Sequence, residues 1–161
     1  MKYFFFLLFA FLLSCNSDNK QISILNARID SLQKQLKDSY HPGLGEMMSG
    51  IQVHHNKLWF AGKNGNWELA DFEVHEIGET VDDIVKFQQN RVETKAIGMI
   101  RPALDSVTTA ISQKDPIAFQ RNFSVLTNTC NTCHKAVQFG FNVVKIPETP
   151  PFSNQDFRAI H

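Results

Sequence analysis

Asp115-Pro116-Ile117-Ala118-Phe119-Gln120-Arg121-Asn122-Phe123-Ser124-Val125-Leu126-Thr127-Asn128-Thr129-Cys130-Asn131-Thr132-Cys133-His134 reads as one helix, from its cap to its chemistry. Asp115 is a good N-cap, and Pro116, with no N–H and a helix-ready φ, suits the first turn. Phe119, Phe123 and Leu126 recur in steps of four and three, so they share a face. The stretch ends in Cys-x-x-Cys-His, the attachment signature of c-type haem. Two thiols on one helical turn can both reach vinyl groups on one porphyrin edge, and His134 then carries its imidazole under the iron. Three other readings compete. A thioredoxin-like redox pair expects a βαβ context, whereas these flanks are helical in pattern. A structural zinc site takes four protein ligands, and the chain has no second Cys pair. A structural disulfide is the third.

Haem attachment requires export, and the N-terminus has the form of an export signal. Lys2 precedes an unbroken apolar run, Tyr3–Leu13, which is a signal-peptide core and too short to span a bilayer comfortably. Leu12-Leu13-Ser14-Cys15 resembles a bacterial lipobox, with Cys15 as the lipid-modified first residue of the mature chain. An ordinary signal peptide followed by an incidental Cys is the alternative. The chain has 3 Cys: one for lipid and two for thioethers leaves no odd thiol. Acyl chains on Cys15 would hold the protein at a membrane, since each buried methylene adds about 0.8 kcal/mol. Basic and acidic residues balance at 16 each, so nucleic-acid binding has no support.

Beyond the leader (1–14), the expected parts are a tether, heptad helix and linker (15–44), a helical haem domain (45–140) and a tail (141–161). Asn16–Gln21 is a polar tether. Ile22, Leu25, Ile29, Leu32 and Leu36 follow an a/d heptad seam little over two heptads long. Either the seam pairs with another copy in a homo-oligomer, or the helix is a spacer or docks on its own domain. Tyr40–Gly45, with Pro and two Gly, breaks the pattern. A helix is expected over Gly45–Ala61, closed by Gly62 in the left-handed region. Asn66 caps the next, running to about Gln89, with Ala70, Val74, Ile77, Val81 and Ile84 inward. Its acidic residues Glu73, Glu76, Glu79, Asp82 and Asp83 read as a solvated face. Ile97, Ile100, Leu104, Val107 and Ile111 mark a third helix from about Ile100 to Gln113, with Pro102 in its first turn. The fourth, from Pro116, is expected to end near Gly140. A Pro-rich extended tail follows, with Phe141, Ile146, Phe152 and Phe157 as anchors. The expected fold class is therefore all-α, a four-helix bundle with a C-terminal haem motif, preceded by a short coiled-coil-like helix.

With Phe119–His134 in the last of four helices, the chain resembles the class II c-type cytochromes, the cytochrome c′ and c556 group. The resemblance covers residues 45 to about 140; the heptad segment and the Pro-rich tail depart from the pattern and suggest a lipoprotein form. It implies one covalent haem c held through Cys130 and Cys133, with His134 as the proximal iron ligand. It also implies that the first bundle helix faces the other side of the iron, through a ligand or an open position.

In that helix Met48, Gln52, His55 and Trp59 share one face, and Met47, Ile51, His54 and Leu58 the neighbouring one. If the family's glutamine in this helix matches Gln52, His55 takes the distal position and the iron is bis-His. Met48 is the rival and would raise the reduction potential. His54 or an open site remains a further alternative, His75 and Met99 are lesser candidates, and Arg101 or Lys57 could neutralise a haem propionate. The leading expectation is a membrane-anchored electron carrier facing the periplasm, working with envelope redox proteins and catalysing no substrate chemistry. The alternative is a five-coordinate protein binding nitric oxide or carbon monoxide.

Overall fold

The quoted stretch is a single helix, Pro116–Ala136, in this computed structural model, which describes residues 15–37, 39 and 41–159. Among the described residues the helices are α1 (Cys15–Lys37), α2 (Leu44–Lys63), α3 (Trp67–Phe87), α4 (Val92–Ile97), α5 (Arg101–Ser112) and α6 (Pro116–Ala136). A 3-10 turn, Gly98–Ile100, joins α4 to α5, and no strand occurs among these residues. The fold is all-α. The chain divides into two units, Met1–His41 and Pro42–His161.

In the first unit, α1 begins at Cys15, so the stretch read as a polar tether is itself helical. Its seam residues Ile22, Leu25, Ile29, Leu32 and Leu36 are all at least half exposed. The leader over 1–14 lies outside the described residues, as does the side chain of Cys15.

In the second unit, α2 packs along α3, α3 against α5, α5 along α6, and α6 back against α2. The apolar lines read from spacing are the buried ones: Ala70, Val74, Ile77, Val81 and Ile84 on α3, and Leu104, Val107 and Ile111 on α5. Phe119 and Phe123 on α6 are wholly enclosed, and Trp59 of α2 packs beside both, with centroids 6.3 and 5.0 Å away. Asp115 caps α6 as expected, its Oδ1 accepting from Ile117 N and Ala118 N. Asn66 caps α3 through Leu69 N.

Several expectations need correction. Gly62 does not close α2; the left-handed residue is Gly65, at φ 71°. Gly62 lies inside the helix against the Phe119 ring, where a Cβ would sit 2.2 Å from Cζ. Glu73 is not on a solvated face but fully buried. α6 stops at Ala136, short of Gly140, because Gln138 turns left-handed at φ 66° and lets Phe139 N bond back to His134 O. Of the four tail anchors only Phe157 is buried, against Phe60, whereas Phe141 is 80% exposed. The tail is fastened instead by polar contacts: Asn66 Nδ2 donates to Arg158 O, and Asn131 holds Val144. Among the described residues no helix is long and apolar enough to cross a membrane.

Candidate functional site

Cys130 and Cys133 lie one turn apart near the end of α6, and the regular i,i+3 relation of that helix brings both thiols to the wall of one cavity. The cavity measures ≈ 320 Å3 and is lined from α2, from the α4 segment, from α6 and from the start of the tail. That size falls in the range of about 300–1,000 Å3 typical of small-molecule and cofactor sites. Its wall is mainly aliphatic, with Ile51 of α2, Ile97 and Ile100, and Val137, Val143 and Val144.

Both thiols are free. Burial, with a smaller contribution from the neighbouring Cys133, pushes the Cys130 thiol up to about 11. Burial raises Cys133 as well. A thiol-exchange pair works through a thiolate of depressed pKa, so this environment is opposite to what redox-disulfide chemistry uses. Among the described residues no group of three His, Cys, Asp or Glu side chains is placed to hold a bare metal ion.

His134 also lines the cavity and is half-buried. Its Nδ1 lies 2.7 Å from the Asn142 carbonyl oxygen. A carbonyl can only accept, so Nδ1 carries a proton, and in the neutral ring Nε2 is the nitrogen with the lone pair. That is how metal-binding histidines are usually oriented, by a backbone carbonyl holding the far ring nitrogen. Asn142 reaches this position because the chain reverses after Gln138 and Asn131 grips Val144, its Nδ2 donating to O and its Oδ1 accepting from N, both at 2.8 Å. The second residue of the motif therefore staples the tail that orients the fifth. Two thiols, one oriented imidazole and a largely apolar wall fit the chemistry of covalently held haem: thioether sites, a nitrogen ligand and apolar packing for the ring.

From α2, Met48, Gln52 and His55 face this cavity. His55 is buried and lies over Phe123, centroids 4.5 Å apart. Its Nε2 is 2.9 Å from Thr127 Oγ1, and that hydroxyl donates to Phe123 O. With its one proton committed, Thr127 accepts, so His55 Nε2 carries the hydrogen. Burial lowers the His55 pKa to about 4, which keeps the ring neutral.

The remaining candidates lie elsewhere. His54 points to α3, with Nδ1 2.7 Å from buried Glu73 Oε2, and Lys57 Nζ approaches the other Glu73 oxygen at 3.8 Å. Arg101 pairs with Asp82 on the surface, His75 is exposed beside Asp71, and Met99 is exposed. None of these five lines the cavity. Two residues that do, and that sequence reasoning passed over, are Arg91 and Glu93. Arg91 Nη2 donates to Glu93 Oε1 at 2.9 Å and its Nε to Oε2 at 3.3 Å. The signal available was a charged pair flanking the start of a short helix, which marks any surface turn equally well.

No protein-family model, no curated protein and no solved structure matches this chain.

Proposed function

We propose that residues 42–161 are a four-helix bundle of the class II cytochrome kind, carrying one covalent haem c and transferring single electrons in a bacterial envelope. The observation that carries this reading is the convergence of Cys130, Cys133 and an imidazole with a free Nε2 on one apolar cavity. The closed circuit of contacts among α2, α3, α5 and α6 supports the bundle. Cys130 and Cys133 would hold the haem and His134 its iron; the iron supplies one-electron chemistry. Cys15 is the proposed lipid site, and the partners are redox proteins met at the membrane surface, with no substrate turned over.

A cavity-facing side chain of α2 would supply a second protein ligand to that iron. Met48 and His55 are about two turns apart, so both cannot serve one iron. His55 is enclosed between Phe123 and Thr127, whereas Met48 is the less enclosed of the two at the cavity, which favours Met48 and would make the pair a Met/His set of raised potential. The test is an absorption spectrum of the purified protein, ferric and ferrous, beside its intact mass. One haem's added mass and a low-spin spectrum lost in Met48→Ala but kept in His55→Ala is the expected result. Loss in His55→Ala alone moves the ligand to His55. A high-spin ferric spectrum with ready carbon monoxide binding gives the five-coordinate gas-binding protein instead. An unmodified mass ends the haem reading.

A further inference from the structure

The cavity wall is apolar apart from its histidines, a few neutral polar side chains and one acid–base pair, Arg91 with Glu93. A porphyrin that meets two thiols through its vinyl edge carries two carboxylates at its other edge. A carboxylate against an aliphatic wall is costly unless it is paired. Among the described residues lining this cavity, Arg91 is the sole guanidinium or ammonium. We infer that Arg91 is the carboxylate-binding subsite of the cavity and that Glu93 positions its guanidinium there. The inference rests on the proposed haem.

Three features of the pair suit that role. Arginine has five N–H donors in a planar fork matched to carboxylates. Glu93 engages only Nε and Nη2, leaving donors for a second carboxylate. Glu93 is also the more enclosed member, its side chain 13% exposed against 47% for Arg91, so the carboxylate is the fixed end and the guanidinium the reaching end. The two sites earlier considered for this role are committed elsewhere, Lys57 to Glu73 and Arg101 to Asp82. Arg91 and Glu93 thus set the charge beside the site: the cation favours the added electron of the reduced state and the anion opposes it.

The reduction potential of the holoprotein tests this, because a merely structural pair would alter melting and leave the potential alone. Arg91→Gln is expected to lower the potential and Glu93→Gln to raise it. Arg91→Lys, which keeps the charge and loses the fork, should fall between wild type and Arg91→Gln. Arg101→Gln, a surface cation off the cavity, should match wild type. If Arg91→Gln fails to take up haem, the Glu93→Gln potential decides. Loaded variants whose potentials all match wild type, or an Arg101→Gln shift as large as that of Arg91→Gln, overturn the inference while leaving the haem reading intact. A wild-type chain without covalent haem overturns both, and intact mass distinguishes the cases.

Discussion

Asn131 occupies a position between the thiols that the Cys-x-x-Cys-His pattern leaves free, yet it makes both side-chain bonds that hold Val144. Its neighbour Thr132 bonds only to Asn128 O within its own helix and is exposed. A net intramolecular hydrogen bond is worth about 1 kcal/mol. Asn131→Ala should therefore lower unfolding free energy by about 2 kcal/mol and loosen the tail to protease, whereas Thr132→Ala should stay within about 0.5 kcal/mol. Equal denaturation midpoints for the two variants would remove the staple. His55 makes a second prediction at this scale, argued for the ring as a neutral, unligated core residue. Its pKa is depressed from 6.5 to about 4 by burial. The unfolded chain then binds the proton more readily, so the associated stability is complete above pH 6.5 and lost as pH falls through 4. At about 1.4 kcal/mol per unit the loss approaches 3 kcal/mol. Denaturant titrations from pH 7 to 4 should show wild type losing that much more than His55→Gln, which cannot take up the proton; parallel curves would refute it.

At the scale of elements, the Gly62 contact sets two magnitudes against each other. Alanine in a helix interior is favoured over glycine by about 1 kcal/mol. Against that, the new Cβ would overlap the enclosed Phe119 ring at 2.2–2.5 Å, and overpacking a core costs about 1–3 kcal/mol. Gly62→Ala should thus destabilise by up to about 2 kcal/mol, read as a lower melting temperature; a higher one would mean α2 and α6 can separate freely. The same residue shows where sequence reading works and where it stops. Apolar lines on α3, α5 and α6 were legible because a 3.6-residue period needs no partner to be seen. Gly62 and Gly65 both resemble helix stops, and Phe119, which decides between them, is remote in sequence. Lys114 at φ 52° and Gln138 at φ 66° end α5 and α6 in the left-handed region without a glycine to announce it. Glu73 was readable after all: it lies three residues after Ala70 and four before Ile77, on the buried face, though nothing local names His54 as its partner. The two thiols and His134 were legible as a motif. The carbonyl that orients the imidazole and the Arg91–Glu93 pair were not, because each depends on where the chain returns.

For the whole molecule, the exposed seam of α1 bears on whether two copies associate. Ile22 and Ile29 at a with Leu25 and Leu32 at d is the combination that favours two parallel strands. The flanking e and g positions are Gln21, Asn26, Arg28, Gln33 and Gln35, which place no like charges opposite one another in a parallel pair and add no attraction either. Exposures of 50–72% along the seam leave its apolar surface available to a second copy. Little more than two heptads makes a weak pair, since so short a seam buries few a and d side chains. Confinement by the proposed lipid on Cys15 raises the effective concentration and shifts the balance toward the dimer. The lipidated chain in detergent micelles or nanodiscs should therefore cross-link in register through Ile22→Cys, an end position that meets its counterpart in a parallel pair and not in an antiparallel one. Adding Ile29→Asp, a charge at the central a position, should abolish that cross-link while leaving the absorption spectrum unchanged. Cross-linking that survives Ile29→Asp would show that contact between copies does not run through this seam, and α1 would then serve as a spacer between the proposed lipid site and the second unit.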